Sequence, residues 1–248
     1  MTTTQIISNS LPTLINSETT NPLLSSTITA ALTVQTRLLL FPSFSKVVNR
    51  LCKVIVDSQK KWPVFFGRYM GECAGFYYRG LVEFAAKPVG DNWQGKEGFV
   101  CGAARFLAGV VGEDGMGEGR SGITGRGGLR PTEDDVRVAI QVREVFLKGG
   151  GVVEGLVRVC VGVLMVATAE DLGGWGEDPE GYMVEVERAT AEEDVRAAGQ
   201  GLLMALVEAE ESKRAVKGFL VARMRDYGGQ MEAAAREAKS AGEVRKPS

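Results

Sequence analysis

Between Pro42 and Met224 apolar residues return every three or four positions, segment after segment, and no convincing pair of alternating strands accompanies them. A chain with that rhythm buries helix stripes against one another, so the pattern points to an all-α fold. Phe44, Val47, Val48, Leu51, Val54 and Ile55 make the first stripe, on a helix that Pro42 opens and Ser43 is placed to cap. A second helix starts at Trp62-Pro63, where proline suits the first turn, and carries Phe66, Met70, Cys73, Tyr77, Leu81 and Phe84. Phe99, Ala103, Phe106, Leu107, Val110 and Val111 mark a third. Thr132 and Asp135 have the spacing of a capping box, and Val136, Ile140, Val145 and Phe146 follow to Lys148 and the Gly149-Gly150-Gly151 break.

Residues 152–167 carry two signals. Val159, Val161, Val163 and Val166 favour a strand, whereas the length and the capping residues at the next boundary favour a buried helix, and helix is the reading adopted. Glu154 and Arg158 interrupt this run, and it is shorter than the roughly 20 residues needed to cross a bilayer, so no membrane span is expected. Thr168 then caps a short helix with Asp171 reaching back. Pro179 pushes Asp178 out of the α region and ends it, leaving Trp175 to anchor an acidic loop. Thr190 and Glu193 suggest a third box before Val195, Ala198, Leu202, Leu203, Leu206 and Val207. A partner helix with Val216, Phe219, Leu220 and Met224 should end at Tyr227-Gly228. The chain thus divides into a disordered lead-in (1–22), helical repeats (23–111), a Gly-rich loop or insertion (112–131), further helical repeats (132–227) with an acidic loop (168–194), and a charged tail (228–248).

Charge is nearly balanced overall at −2, so no global field recruits nucleic acid, and no DNA partner is expected. It is unevenly spread, however. Residues 1–111 hold eleven Lys/Arg against six Asp/Glu, and 168–211 hold thirteen Asp/Glu against only Arg188 and Arg196. Cys52, Cys73, Cys101 and Cys160 are widely spaced in apolar segments, where a thiol acts as a small hydrophobe and the surroundings are reducing. The chain has no histidine, which removes a member from the usual Ser/His, Cys/His and zinc-ligand sets. A non-enzymatic protein without cofactor or metal is the expectation. The opening stretch from Met1 to Ser26 is rich in Ser, Thr and Asn and lacks the basic-then-apolar order of a signal peptide.

Three smaller features have competing readings. Gly117-Glu118-Gly119-Arg120-Ser121-Gly122 fits G-x-G-x-x-G and would make the chain a nucleotide-binding enzyme using loop 112–130. The motif follows a helix rather than a strand, and eight glycines among nineteen residues, with Arg120, Arg126 and Arg130, describe a solvated insertion better. Lys60, Lys61 and Trp62 interleave basic and aromatic groups, but so small a cluster also suits an ordinary helix terminus. Trp175, Glu177, Asp178, Glu180, Glu185 and Glu187 could present an acidic surface to a basic protein segment. The alternative is a packed anchor surrounded by hydrated acids.

The run from Ala169 through Glu170-Asp171-Leu172-Gly173-Gly174-Trp175-Gly176-Glu177-Asp178-Pro179-Glu180-Gly181 to Tyr182 resembles the importin-eleven branch of the importin-β (karyopherin) nuclear transport receptors, where a helix ends in an acidic Trp/Asp-Pro-Glu-Gly-aromatic loop. Leu51 to Trp62, Glu97-Gly98-Phe99-Val100, Leu156-Val157-Arg158, and Asp194 to Ala198 leading into Leu202-Leu203 resemble the same family in the same order, over roughly Phe41 to Met224. The family usually has Pro and Cys where this chain has Ala197 and Ala198, the Gly-rich stretch has no clear counterpart, and the family's Ran-binding amino-terminal domain finds no match. The resemblance implies a HEAT/armadillo-like α-solenoid, present here as a central fragment. It further implies a nuclear import receptor that carries protein cargo with basic segments, responds to the Ran GTPase, meets nuclear pore proteins and moves between nucleus and cytoplasm. A helical scaffold protein is the remaining alternative.

Overall fold

The computed structural model describes residues 22–61, 63–86, 95–112, 132–149 and 151–244, and every regular element among them is helical. In chain order these are α1 (Pro22–Leu38), a 3-10 turn (Pro42–Phe44), α2 (Ser45–Lys61), α3 (Pro63–Ala85), α4 (Glu97–Val111) and α5 (Glu133–Lys148). There follow α6 (Val152–Val159), widening into a π turn (Cys160–Leu164), then α7 (Ala169–Glu177), α8 (Pro179–Arg188), α9 (Val195–Glu208) and α10 (Glu210–Val244). None of these helices is long and apolar enough to cross a membrane.

The core is organised around α4, which packs against α2, α3 and α9. A helix enclosed on several sides has to be apolar on all of them, and Phe99, Val100, Cys101, Ala103, Ala104, Phe106, Leu107, Val110 and Val111 are all buried. Its aromatic residues interlock with those of α3: Phe106 lies 6.0 Å from Phe66 and 5.0 Å from Tyr77, and Phe99 lies 5.9 Å from Tyr77, ring centre to ring centre. Phe66 meets Phe106 while Gly80 meets Phe99, so α3 and α4 run antiparallel.

Other pairs run parallel. Gly98, Gly102 and Gly109 of α4 face Asn49, Cys52 and Gln59 of α2 in the same order, and a Cβ added at Gly102 would stand 2.8 Å from that of Cys52. Glycine lets these backbones approach, and Gln59 uses the approach to donate from Nε2 to the Phe106 carbonyl at 3.1 Å. In the second set, Gly67 and Gly71 of α3 face Ala139 and Val142 of α5, and Tyr78 meets Phe146. Thr29 and Gln35 of α1 in turn meet Glu72 and Tyr77 of α3. Two sets of parallel helices therefore lie side by side, α1–α3–α5 and α2–α4. The α9 helix adds to the second set, and α10 packs on α6 and α9.

Buried polar groups tie the layers. Gln35 Oε1 accepts from the Cys52 thiol at 3.3 Å and from the Tyr77 hydroxyl at 3.5 Å. Arg143, buried on α5, donates from Nε and Nη2 to the Val111 carbonyl and from Nη1 and Nη2 to Glu211, closing the carboxyl end of α4 and fastening α10. All four cysteines are free and buried, and burial pushes the thiols of Cys52, Cys73 and Cys160 up to about 12 and Cys101 to about 11. They remain neutral and pack as hydrophobes.

The structure corrects several sequence expectations. The helix beginning near Pro42 is not capped by Ser43, because Pro42–Phe44 is a 3-10 turn that hands over to α2. Residues 152–167 start as the expected helix, but the chain widens after Val159 and stops at Met165, whose N–H donates to the Cys160 carbonyl. The segment 168–194 is no loop: proline fits a first helical turn as readily as it ends one, and Pro179 opens α8. The box expected at Thr190 and Glu193 gives way to a turn, and Asp194 caps α9 by accepting from the Ala197 N–H at 2.6 Å. The last helix passes Tyr227-Gly228 and continues to Val244, so most of the stretch 228–248 is helical rather than a tail. The lead-in up to residue 21, Trp62, and the Gly-rich motif with Arg120, Arg126 and Arg130 lie outside the described residues.

Candidate functional site: an acidic helical hairpin

The acidic segment folds as a hairpin of α7 on α8, and local chemistry starts both helices. Thr168 Oγ1 accepts from the Asp171 N–H at 3.1 Å, and Asp171 Oδ2 accepts from the Thr168 N–H at 2.6 Å, the reciprocal box expected from the sequence. Asp178, outside the helical region between the two helices, caps α8 by accepting from the Gly181 N–H at 3.0 Å.

A three-residue node holds the hairpin to the body. Arg196, in the first turn of α9, donates from Nη2 to Asp171 and from Nη1 to the Tyr182 hydroxyl at 2.7 Å, while that hydroxyl donates to Asp171 Oδ1 at 3.3 Å. Trp175 stands edge-on to Tyr182, 5.9 Å between ring centres, with half of its surface exposed. The tryptophan is thus an anchor on one side and an open aromatic face on the other.

Burial pushes the Asp171 carboxyl upward, but the hydrogen bonds from Thr168 and the pairing with Arg196 outweigh it and hold the group below the ordinary carboxylate value. A lowered folded-state pKa contributes stability above the unfolded value, and the contribution is lost as pH falls through the folded one. We expect acidification below the ordinary Asp range to release Tyr182 and shift the indole N–H resonance of Trp175 while the core keeps its helicity. In Asp171→Asn this acid transition should be absent. An unchanged transition would show that the node does not control the hairpin.

Of the acids expected at the site, Glu177 closes α7, and Glu180 and Glu187 share a face of α8 with Val184, one and two turns apart. Glu185 lies on another face, and all four carboxylates are exposed. Asp178 is also exposed, but its carboxylate is engaged in the cap. Leu172, Met183 and Val184 add exposed apolar surface between the charges. The surface offers carboxylates, an aromatic face and aliphatic contacts. Among the described residues no group of His, Cys, Asp or Glu could hold a metal ion.

Tyr182, Asp171 and Arg196, which position this surface, were not among the expected site residues. Their signal was visible in Arg196, one of only two cations in a segment with thirteen acids, where a cation has carboxylates within reach to neutralise. Glu192 is a second such residue. It sits in the turn before α9 and pairs with Arg105 at 2.6 Å and Lys53 at 3.4 Å, on α4 and α2.

No protein-family model, curated protein or solved structure matches this chain.

Proposed function

We propose that this protein is a segment of a HEAT-type α-solenoid that carries protein cargo in nuclear import, without catalytic chemistry of its own. The observation that carries the reading is the directional pattern of the helices. Parallel helices form each of two adjoining sets, and successive helices such as α3 and α4 pass antiparallel from one set to the other. Stacked two-helix repeats have this arrangement, because each unit buries its apolar faces against its neighbours in the array. In this reading α7 and α8 are an insertion within one repeat, between α6 and α9. The resemblance of segment 169–182 to importin-eleven-type receptors supplies the rest: Ran-dependent release, contact with pore proteins, and traffic between cytoplasm and nucleus.

The cargo surface in this reading is the exposed side of the hairpin. Trp175 packs against a partner's aliphatic or aromatic group, while Glu177, Glu180 and Glu187 steer and register a basic segment and Glu185, on another face of α8, adds to the steering charge. The test spares Asp178, since replacing it would unseat α8. In the triple variant Glu177→Lys, Glu180→Lys, Glu187→Lys, capture of a Lys/Arg-rich peptide should fall by about tenfold or more, with thermal stability little changed. Equal capture by wild type and variant would remove the hairpin as the cargo surface.

A further inference from the structure

A second charged surface, opposite in sign to the hairpin, runs along α2. Lys46, Arg50, Lys53 and Lys60 project from the solvent side at spacings of four, three and seven residues, and Asp57 is the one acid among them. Beside this ridge lies Arg105 of α4, whose side chain is only 12% exposed. A cation so withdrawn from water needs a carboxylate. Among the described residues the carboxylate it pairs with is that of Glu192, from the turn before α9, and the same carboxylate also reaches Lys53.

Two cations thus hold Glu192 directly, and its carboxyl is kept below the ordinary range by Arg105, Lys53 and, at longer reach, Lys60. Lys46, Arg50, Lys53, Lys60 and Arg105 face Asp57 on the ridge and Glu192, Glu193 and Asp194 beside it, which leaves positive charge in excess, and Glu192 is itself half exposed on a turn, so it can leave without disturbing a helix. The fold already shows this surface binding a carboxylate. We propose that Lys53, Lys60 and Arg105 form a docking surface for an acidic segment of a partner protein, and that Glu192 occupies it in cis until that segment displaces it. Arg105 supplies the planar, partly desolvated fork that fixes one carboxylate, and the lysines of α2 extend the surface toward the next. The surface works as a gated site, because the partner's affinity is reduced by the fraction of time Glu192 is seated. The inference stands independently of the transport reading.

The test uses the full chain and a fluorescein-labelled peptide of alternating Glu and Gly, with its Gln counterpart as control. By anisotropy, Glu192→Gln should bind the acidic peptide about three- to tenfold more tightly than wild type, since an exposed ion pair of this kind competes only modestly. Lys53→Glu with Lys60→Glu should weaken binding by about tenfold or more, and the Gln peptide should not bind. Circular dichroism melts of both variants separate loss of the surface from loss of the fold. Unchanged affinity in Glu192→Gln, or equal binding of the Gln peptide, would overturn the proposal. So would tighter binding of a single-stranded RNA of equal charge with the same dependence on the variants, because the ligand class would then be wrong.

Discussion

Phe106→Ala is expected to lower the stability of the protein by about 4 kcal/mol, because it removes a fully buried ring at the centre of the most enclosed helix. The ring lies against Phe66 and Tyr77, so truncation empties a space bordered by large, rigid groups that cannot collapse into it. Phe44 is the control. It is 45% exposed in the 3-10 turn before α2, and Phe44→Ala should change stability by no more than about 0.5 kcal/mol. Urea denaturation of the two variants measures the contrast. A loss below about 1.5 kcal/mol for Phe106→Ala would show that the α3–α4 interface is not the centre of the fold.

Gly67→Val should cost about 3 kcal/mol, by overpacking rather than by emptying space. A Cβ at Gly67 would stand 2.6 Å from the Ala139 Cβ and 2.8 Å from its Cα, so the obstacle includes backbone and no side-chain rotation relieves it. Either α3 and α5 separate, or one tilts and drags the Gly71–Val142 and Tyr78–Phe146 contacts with it. Gly201 shows the opposite behaviour. A Cβ there meets nothing within 4 Å, so Gly201→Ala should be neutral or stabilising by up to about 1 kcal/mol through helix propensity. The difference in melting temperature between the two variants decides the matter. If both glycine replacements behave alike, α3 and α5 do not cross where the structure has them.

Helices were legible in the sequence wherever the signal was local. The stripes on α2 through α5 follow a 3.6-residue period, and Thr132/Asp135 and Thr168/Asp171 each announce a helix start within four residues. Pro179 was ambiguous for a physical reason, since the same ring that blocks a preceding helix preorganises the next. The continuation of α10 past Gly228 was hidden because residues 221–233 are exposed throughout, and a helix without a buried face has no stripe to read. The site was legible in composition but not in architecture. Thirteen acids in one segment are plain, whereas the pairing of Arg196 with Asp171 and Tyr182, or of Glu192 with Arg105, depends on residues that only the tertiary fold brings together.

The glycines of α4 bear on how such a chain finds one arrangement among many similar ones. Amphipathic helices of comparable width can slide past one another by a turn and still match greasy surface to greasy surface. Here Gly98, Gly102 and Gly109 cut notches that admit Asn49, Cys52 and Gln59 at a single offset; moved by one turn, Gln59 would meet Arg105 instead of the gap at Gly109. The notches index α4 against α2 as teeth index a rack, so a misaligned pairing is rejected by collision rather than merely stabilised less.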